Sequence, residues 1–117
     1  MPICKTVFIP SLHIYVNYHI GRSAADNNMA IDAAEPHHLW FHVENEPSCH
    51  VIAAIPETID RKDLRYIVTQ GAVLCKQHCA RVRSQKNVQI TYTTIGNLEK
   101  TGKIGCVRVS AAKTVKV

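Results

Sequence analysis

The sequence predicts an α+β fold: an antiparallel sheet with one long amphipathic helix packed on it and a short helix after the second strand. Three observations lead there. Apolar and polar residues alternate in several short segments before residue 56 and again after residue 86, the period-two signature of half-buried strands. One stretch between them switches to apolar spacings of three and four, the helical period. No repeat, low-complexity tract or linker interrupts the order ββ(α)ββαβββ, which suits one layered domain over residues 1–117. With 46% hydrophobic and 20% charged residues the chain has a globular composition. No apolar run reaches the roughly 18 residues of a membrane span, so no membrane partner is expected.

The first strands are Lys5 to Ile9 and Leu12 to Ile20, rich in β-branched and aromatic residues and separated by Pro10-Ser11. In the second, Leu12, Ile14, Val16, Tyr18 and Ile20 share one face, and His13, Tyr15, Asn17 and His19 the other. Gly21 ends it. A short helix falls within Arg22 to Ala34, with Ser23 as N-cap and Asp26 three residues on, and Glu35-Pro36 stops it. Leu39 to Glu44 and Cys49 to Ile55 form a hairpin. If its loop is Asn45-Glu46-Pro47, Glu44 pairs with Ser48, His42 lies opposite His50 and Trp40 opposite Ile52; Leu39, Phe41, Val43, Val51 and Ala53 then share the other face. From Asp60, the expected N-cap, to about Arg83, the residues Leu64, Ile67, Val68, Gly71, Ala72, Cys75, Cys79 and Val82 make one helical stripe. A helix of about 20 to 24 residues would be some 30 to 36 Å long. Asn87 to Thr94 is a strand, Gly96-Asn97 and Thr101-Gly102 flag turns, and Ile104 to Val109 and Thr114 to Val117 are the last strands.

The net charge of +5 is unevenly placed. Residues 1–59 hold two bases, Lys5 and Arg22, against six acids, a net of −4; residues 60–117 hold twelve bases against three acids, a net of +9. Such asymmetry calls for an anionic partner, nucleic acid first. The bases of the second half include Arg65, Lys76, Arg81, Arg83, Lys86, Lys100 and Lys103, while aromatic residues there are only Tyr66 and Tyr92. That combination favours contact with backbone phosphates over stacking on bases.

Five cysteines at irregular spacing read as reduced thiols. The N-terminus matches neither a secretory nor a transit sequence, so a cytoplasmic or nuclear setting is expected. Cys75 and Cys79 have zinc-ligand spacing but lie on the packed stripe of the long helix; they are expected to be core residues, with no metal or cofactor. Six of the seven histidines lie in the acidic half. His42 and His50, side by side, suit two roles: acid and base for phosphodiester cleavage, or donors to phosphate while Trp40 stacks on a base. They also suit a plain structural role, satisfying buried backbone groups. Neither has an identifiable carboxylate partner, which weakens the catalytic version.

Gly21-Arg22-Ser23-Ala24-Ala25-Asp26-Asn27-Asn28, His38-Leu39-Trp40-Phe41-His42-Val43 and Pro47-Ser48-Cys49-His50-Val51 resemble the G-R-N-A-x-x-N-D, D-L-W-F-H-V and P-G-S-H-V pattern of the NFACT RNA-binding domain family. The resemblance spans roughly residues 12–117 and is to the stand-alone type of domain. Related domains occur in ribosome-associated quality-control factors that engage the large ribosomal subunit and tRNA. It implies RNA binding without catalysis, with tRNA or rRNA as ligand and the ribosome or DNA as further candidates. Arg22, Asn27, Trp40, His42, Ser48 and His50 would form a selective pocket beside the basic surface. Three departures stand out: His38 replaces the usual Asp, Asn28 another Asp, and Ser48-Cys49 replaces Gly-Ser. If position 48 needed φ > 0, serine would carry strain there. Two other functions stay open beside RNA binding: a hydrolase using His42 and His50, and an adaptor docking on an acidic protein.

Overall fold

The β-branched and aromatic runs form strands and the three-four stripe forms a helix, giving an α+β fold in a computed structural model that describes residues 2–117; Met1 lies outside them. The elements are β1 (Ile3–Ile9), β2 (Ile14–Gly21), α1 (Ala24–Asp32), β3 (Leu39–Val43), β4 (His50–Ala54), α2 (Arg61–Gln77), β5 (Gln89–Thr94), β6 (Leu98–Lys100), β7 (Val107–Val109) and β8 (Lys113–Lys116). Six strands make one sheet in the order β1-β2-β4-β3-β5-β8, and β6 and β7 pair as a separate ribbon. Every pairing is antiparallel.

The alternation in β2 sorts as expected: Val16, Tyr18 and Ile20 are buried. Together with Leu39, Phe41, Val43, Val51, Ala53 and Ile90 they meet Ile67, Val68, Ala72 and Cys75 of α2 in one apolar cluster. α2 can lie this close because Gly71 has no side chain; a Cβ there would stand 2.4 Å from the Phe41 ring. The buried Tyr18 hydroxyl, which burial pushes well above the ordinary phenol range, donates to the Ile67 carbonyl at 3.0 Å. The opposite sheet face is covered by α1 and the β6-β7 ribbon, where Ala30, Ile31, Trp40 and Ile52 form a second cluster with Leu98 and Val107 packed against it.

Two expectations need correcting. α2 ends at Gln77 rather than near Arg83. Cys79 and Val82 are buried, so the stripe persists, but the backbone leaves the helix through tight turns: Cys79 N–H donates to Lys76 O, and Val82 and Arg83 N–H both donate to Cys79 O. The chain must turn there to bring β5 beside β3. Asp60 does occupy the N-cap position, yet its side chain makes no capping hydrogen bond. The other correction is β6, three residues where only turns were expected; it pairs Leu98 with Val109 and Lys100 with Val107. The short helix meets its prediction, with Ser23 accepting from the Asp26 N–H at 3.2 Å.

Candidate nucleic-acid interface

β3 and β4 pair Trp40 with Ile52 and Phe41 with Val51, the register that a three-residue loop requires. Continuing it sets His42 beside His50, whose rings lie 5.0 Å apart, edge to face. Asn45 takes the positive φ of the turn, at 59°, and Ser48 does not. Serine at the family's glycine position is therefore unstrained, and its hydroxyl accepts from the Val43 N–H and donates to the Cys49 carbonyl.

The motif residues form one hydrogen-bonded layer on the α1 side of the sheet. Trp40 Nε1 donates to His50 Nδ1 at 3.1 Å. Indole nitrogen can only donate, so His50 Nδ1 accepts and its proton sits on Nε2. The His50 backbone N–H donates to Asn27 Oδ1 at 3.3 Å, joining α1 to β4. Gly21 makes that approach possible, since a Cβ there would lie 2.4 Å from Asn27 Oδ1. His42 stacks on Trp40 with ring centres 5.6 Å apart.

Burial, with His42 adding, pushes His50 down to about 3. Burial also lowers His42, against a small opposing effect of the Val43 backbone. Both imidazoles are thus neutral at pH 7 and serve as oriented donors and acceptors. Neither hydrogen-bonds a carboxylate among the described residues. This arrangement suits recognition better than proton transfer near neutrality. Trp40 is 3% exposed and engaged with both histidines, so its part in the layer is to hold them; its ring does not offer a free face to a base. The rim of a cavity of about 380 Å³ is formed by His42, His50 and Trp40 with Thr91, Cys106 and Val107.

A cleft of about 360 Å³ lies where the first and third motifs meet the end of α2, lined by Arg22, Ser23, Asn27, Ser48, Cys49, His78 and Arg81 among others. Two guanidinium groups therefore stand at the N-terminal end of α1, the end of a helix that favours anions. Arg81 also pairs with Glu46 at 3.3 Å, with Arg81 largely exposed and Glu46 partly so, an arrangement easily exchanged for a phosphate. His78, the C-cap of α2, was missed by sequence reasoning; only its chance position after the last helical turn brings it here. Its pKa is lowered by burial, then by Lys5 and Arg22. Cys49 and Cys75 are buried thiols with Sγ atoms 4.0 Å apart, and Cys75 is held in the thiol form by its hydrogen bond with Cys49 and by burial.

The remaining expected contacts do not share this cleft. Arg83 and Lys86 are exposed in the turns after α2, and Lys103 in the turn between β6 and β7. Lys76 donates to the Val117 carbonyl at 3.2 Å, and Lys100 is paired with Asp32 of α1. Arg65 donates to the Tyr66 hydroxyl and, with Arg61 and Lys113, borders a separate groove between α2 and β8. No group of three or more His, Cys, Asp or Glu residues is arranged to hold a metal among the described residues.

The chain matches the NFACT protein RNA binding domain over residues 7–109. Coiled-coil domain-containing protein 25 of Danio rerio is 29% identical over 105 residues, covering 85% of this chain and 51% of the relative. The Mus musculus protein of the same name is 29% identical, with 85% and 50% covered. The chain thus spans about half the length of the curated relatives it matches. The C-terminal part of the fibronectin/fibrinogen-binding protein from Streptococcus suis shares the fold, with a TM-score of 0.75 over 87% of this chain and 40% of that one at 24% identity. The matched span takes in all three motif segments and both helices, and the chain belongs to the NFACT RNA-binding domain family.

Proposed function

We propose that this chain is a non-enzymatic RNA-binding module whose recognition site is the cleft at the start of α1, with the Asn27, Trp40, His42 and His50 layer behind it. The observation that carries this reading is the convergence of Arg22 and Arg81 with His78 and Ser48 on one polar cleft, in a family of RNA-binding domains. The guanidinium groups would hold phosphate, while the neutral imidazoles would act as fixed hydrogen-bonding groups for whatever sits beside it. Arg83 and Lys86, exposed just beyond the cleft in sequence, would extend the backbone contact.

The finer reading is tRNA or rRNA as the ligand, in a cytoplasmic or nuclear setting linked to ribosome or tRNA quality control. What supports it is the family resemblance, together with the +9 charge of residues 60–117. Titration of labelled tRNA, an rRNA fragment and duplex DNA across rising salt tests both levels. If four cations reach phosphates, log affinity should fall with log salt at a slope of about −3 to −4. Binding that is absent at low salt, or indifferent to salt, would sink the module reading. Equal affinity for DNA would sink the restriction to RNA.

A further inference from the structure

On the same side of the sheet, at the other end of α1 from the cationic cleft, lies a slot of about 290 Å³ that none of the motif residues Arg22, Asn27, His42 or His50 lines. Its floor and wall are apolar: Met29 and Ala30 from α1, Ala33 and Ala34 just past its C-terminal end, and Ile52 from β4. Two imidazoles, His19 and His38, together with Pro2 complete the lining. At this size it sits at the lower edge of the roughly 300–1,000 Å³ typical of small-molecule pockets, with room for one or two rings.

The polar groups of the slot are defined. The Glu35 backbone N–H donates to His38 Nδ1 at 3.2 Å, so Nδ1 accepts and Nε2 carries the proton. Burial, with His37 adding, lowers the His38 pKa, which keeps the ring neutral as a single oriented donor. His19 has no hydrogen-bond partner among the described residues, and its ring can present either a donor or an acceptor. Met29 is 47% exposed, a flexible and polarizable thioether at the mouth, suited to contact with an aromatic face.

We infer that this slot takes one nucleobase of a bound RNA strand, stacked against Met29 and the alanines at the C-terminal end of α1 with its polar edge read by His19 and His38. The inference rests on the RNA-binding reading above and adds a ligand class and a place to it. The lining argues for a base: the walls supply apolar contact, the two imidazoles supply hydrogen-bonding groups, and no lysine or arginine lines the slot to hold a phosphate. RNA recognition proceeds in this way when unstacked bases are splayed from a strand. His38 stands where the family pattern carries Asp, so the donor belongs to this chain rather than to the motif.

The test follows the Met29 methyl resonance in methyl-labelled protein during titration with adenosine monophosphate, uridine monophosphate and ribose 5-phosphate, followed by a short mixed-sequence single-stranded RNA. At least one nucleotide should shift the Met29 methyl upfield in a saturable way through the ring current of its base, and the RNA should shift it likewise. Ribose 5-phosphate, which lacks the base, should leave it in place. His38→Asp, which restores the residue usual in the family, should weaken the response about tenfold, the worth of one well-placed donor. Ala33→Trp, at an exposed lining position, should fill the slot and abolish the response, with unchanged circular dichroism confirming that both variants fold. A Met29 methyl unmoved by nucleotides and by RNA, while the RNA still binds by anisotropy, would overturn the inference and leave the RNA-binding reading standing. A shift with nucleotides but no RNA binding at low salt would overturn both and mark the slot as a free-nucleotide site. A response to an apolar peptide side chain and to no nucleotide would make it a protein-docking site instead.

Discussion

Acidification should destabilise this domain well before its carboxylates titrate, and His50 is the main cause. His50 is 4% exposed, accepts from Trp40 and sits beside His42; burial first, and His42 after it, bring its pKa from the ordinary 6.5 down to about 3. Below pH 6.5 the unfolded chain takes up a proton at this position that the folded chain refuses, so stability falls as pH drops and the loss levels off near pH 3. With each full unit worth about 1.36 kcal/mol, the cost is about 2 kcal/mol at pH 5 and about 3 kcal/mol at pH 4. Domains of this kind have only about 5–15 kcal/mol in total. His42 is shifted in the same direction and adds to the loss. Urea unfolding followed by circular dichroism at pH 7 and pH 5 measures it, with His50→Gln as the comparison, since glutamine keeps an acceptor for Trp40 without a titrating ring. The variant should lose about 2 kcal/mol less than the wild type between the two pH values. Identical losses, or a His50 proton resonance in the folded protein titrating with a midpoint above 5, would refute the reasoning.

Arg22→Ala and Arg81→Ala should each reduce the salt slope of RNA binding by about 0.7–0.9, whereas Lys113→Ala, in the groove on the α2 side, should leave it unchanged; fluorescence anisotropy at several salt concentrations reads all three. Asn27→Ala removes the acceptor of the buried His50 N–H and should cost about 1–3 kcal/mol, seen as a lower urea midpoint. Gly71→Ala drives a Cβ against the Phe41 ring, and overpacking of about 1–3 kcal/mol should outweigh the gain of about 0.5–1 kcal/mol in helix propensity. Its thermal midpoint should therefore fall, contrary to the usual effect of replacing a helical glycine.

The hairpin was readable from the sequence because loop length and side-chain parity constrain each other: a three-residue turn leaves one way to bury Phe41 and Val51 together, and His42 beside His50 follows. α1 was readable from its cap. The end of α2 was not, because burial of Cys79 and Val82 needs only that they reach the core, and tight turns achieve that as well as helix does. β6 was hidden by its length; three residues next to Gly102 carry no period of their own, and only pairing with β7 makes them a strand. At the site, adjacency was legible and role was not. That Trp40 should donate to His50, and so fix which nitrogen carries the proton, depends on a cross-strand diagonal that spacing alone cannot orient. His78 and Met29 enter their clefts through the packing of whole helices, which leaves no local mark.

The contact between Trp40 and the two imidazoles has a practical consequence. Trp40 is the sole tryptophan, and its indole N–H is committed to one histidine while its ring stacks on the other. The molecule therefore carries a built-in optical reporter at its most information-rich point. Tryptophan emission from the unlabelled chain should register any event that protonates, displaces or reorients those rings, making the site spectroscopically addressable without a dye.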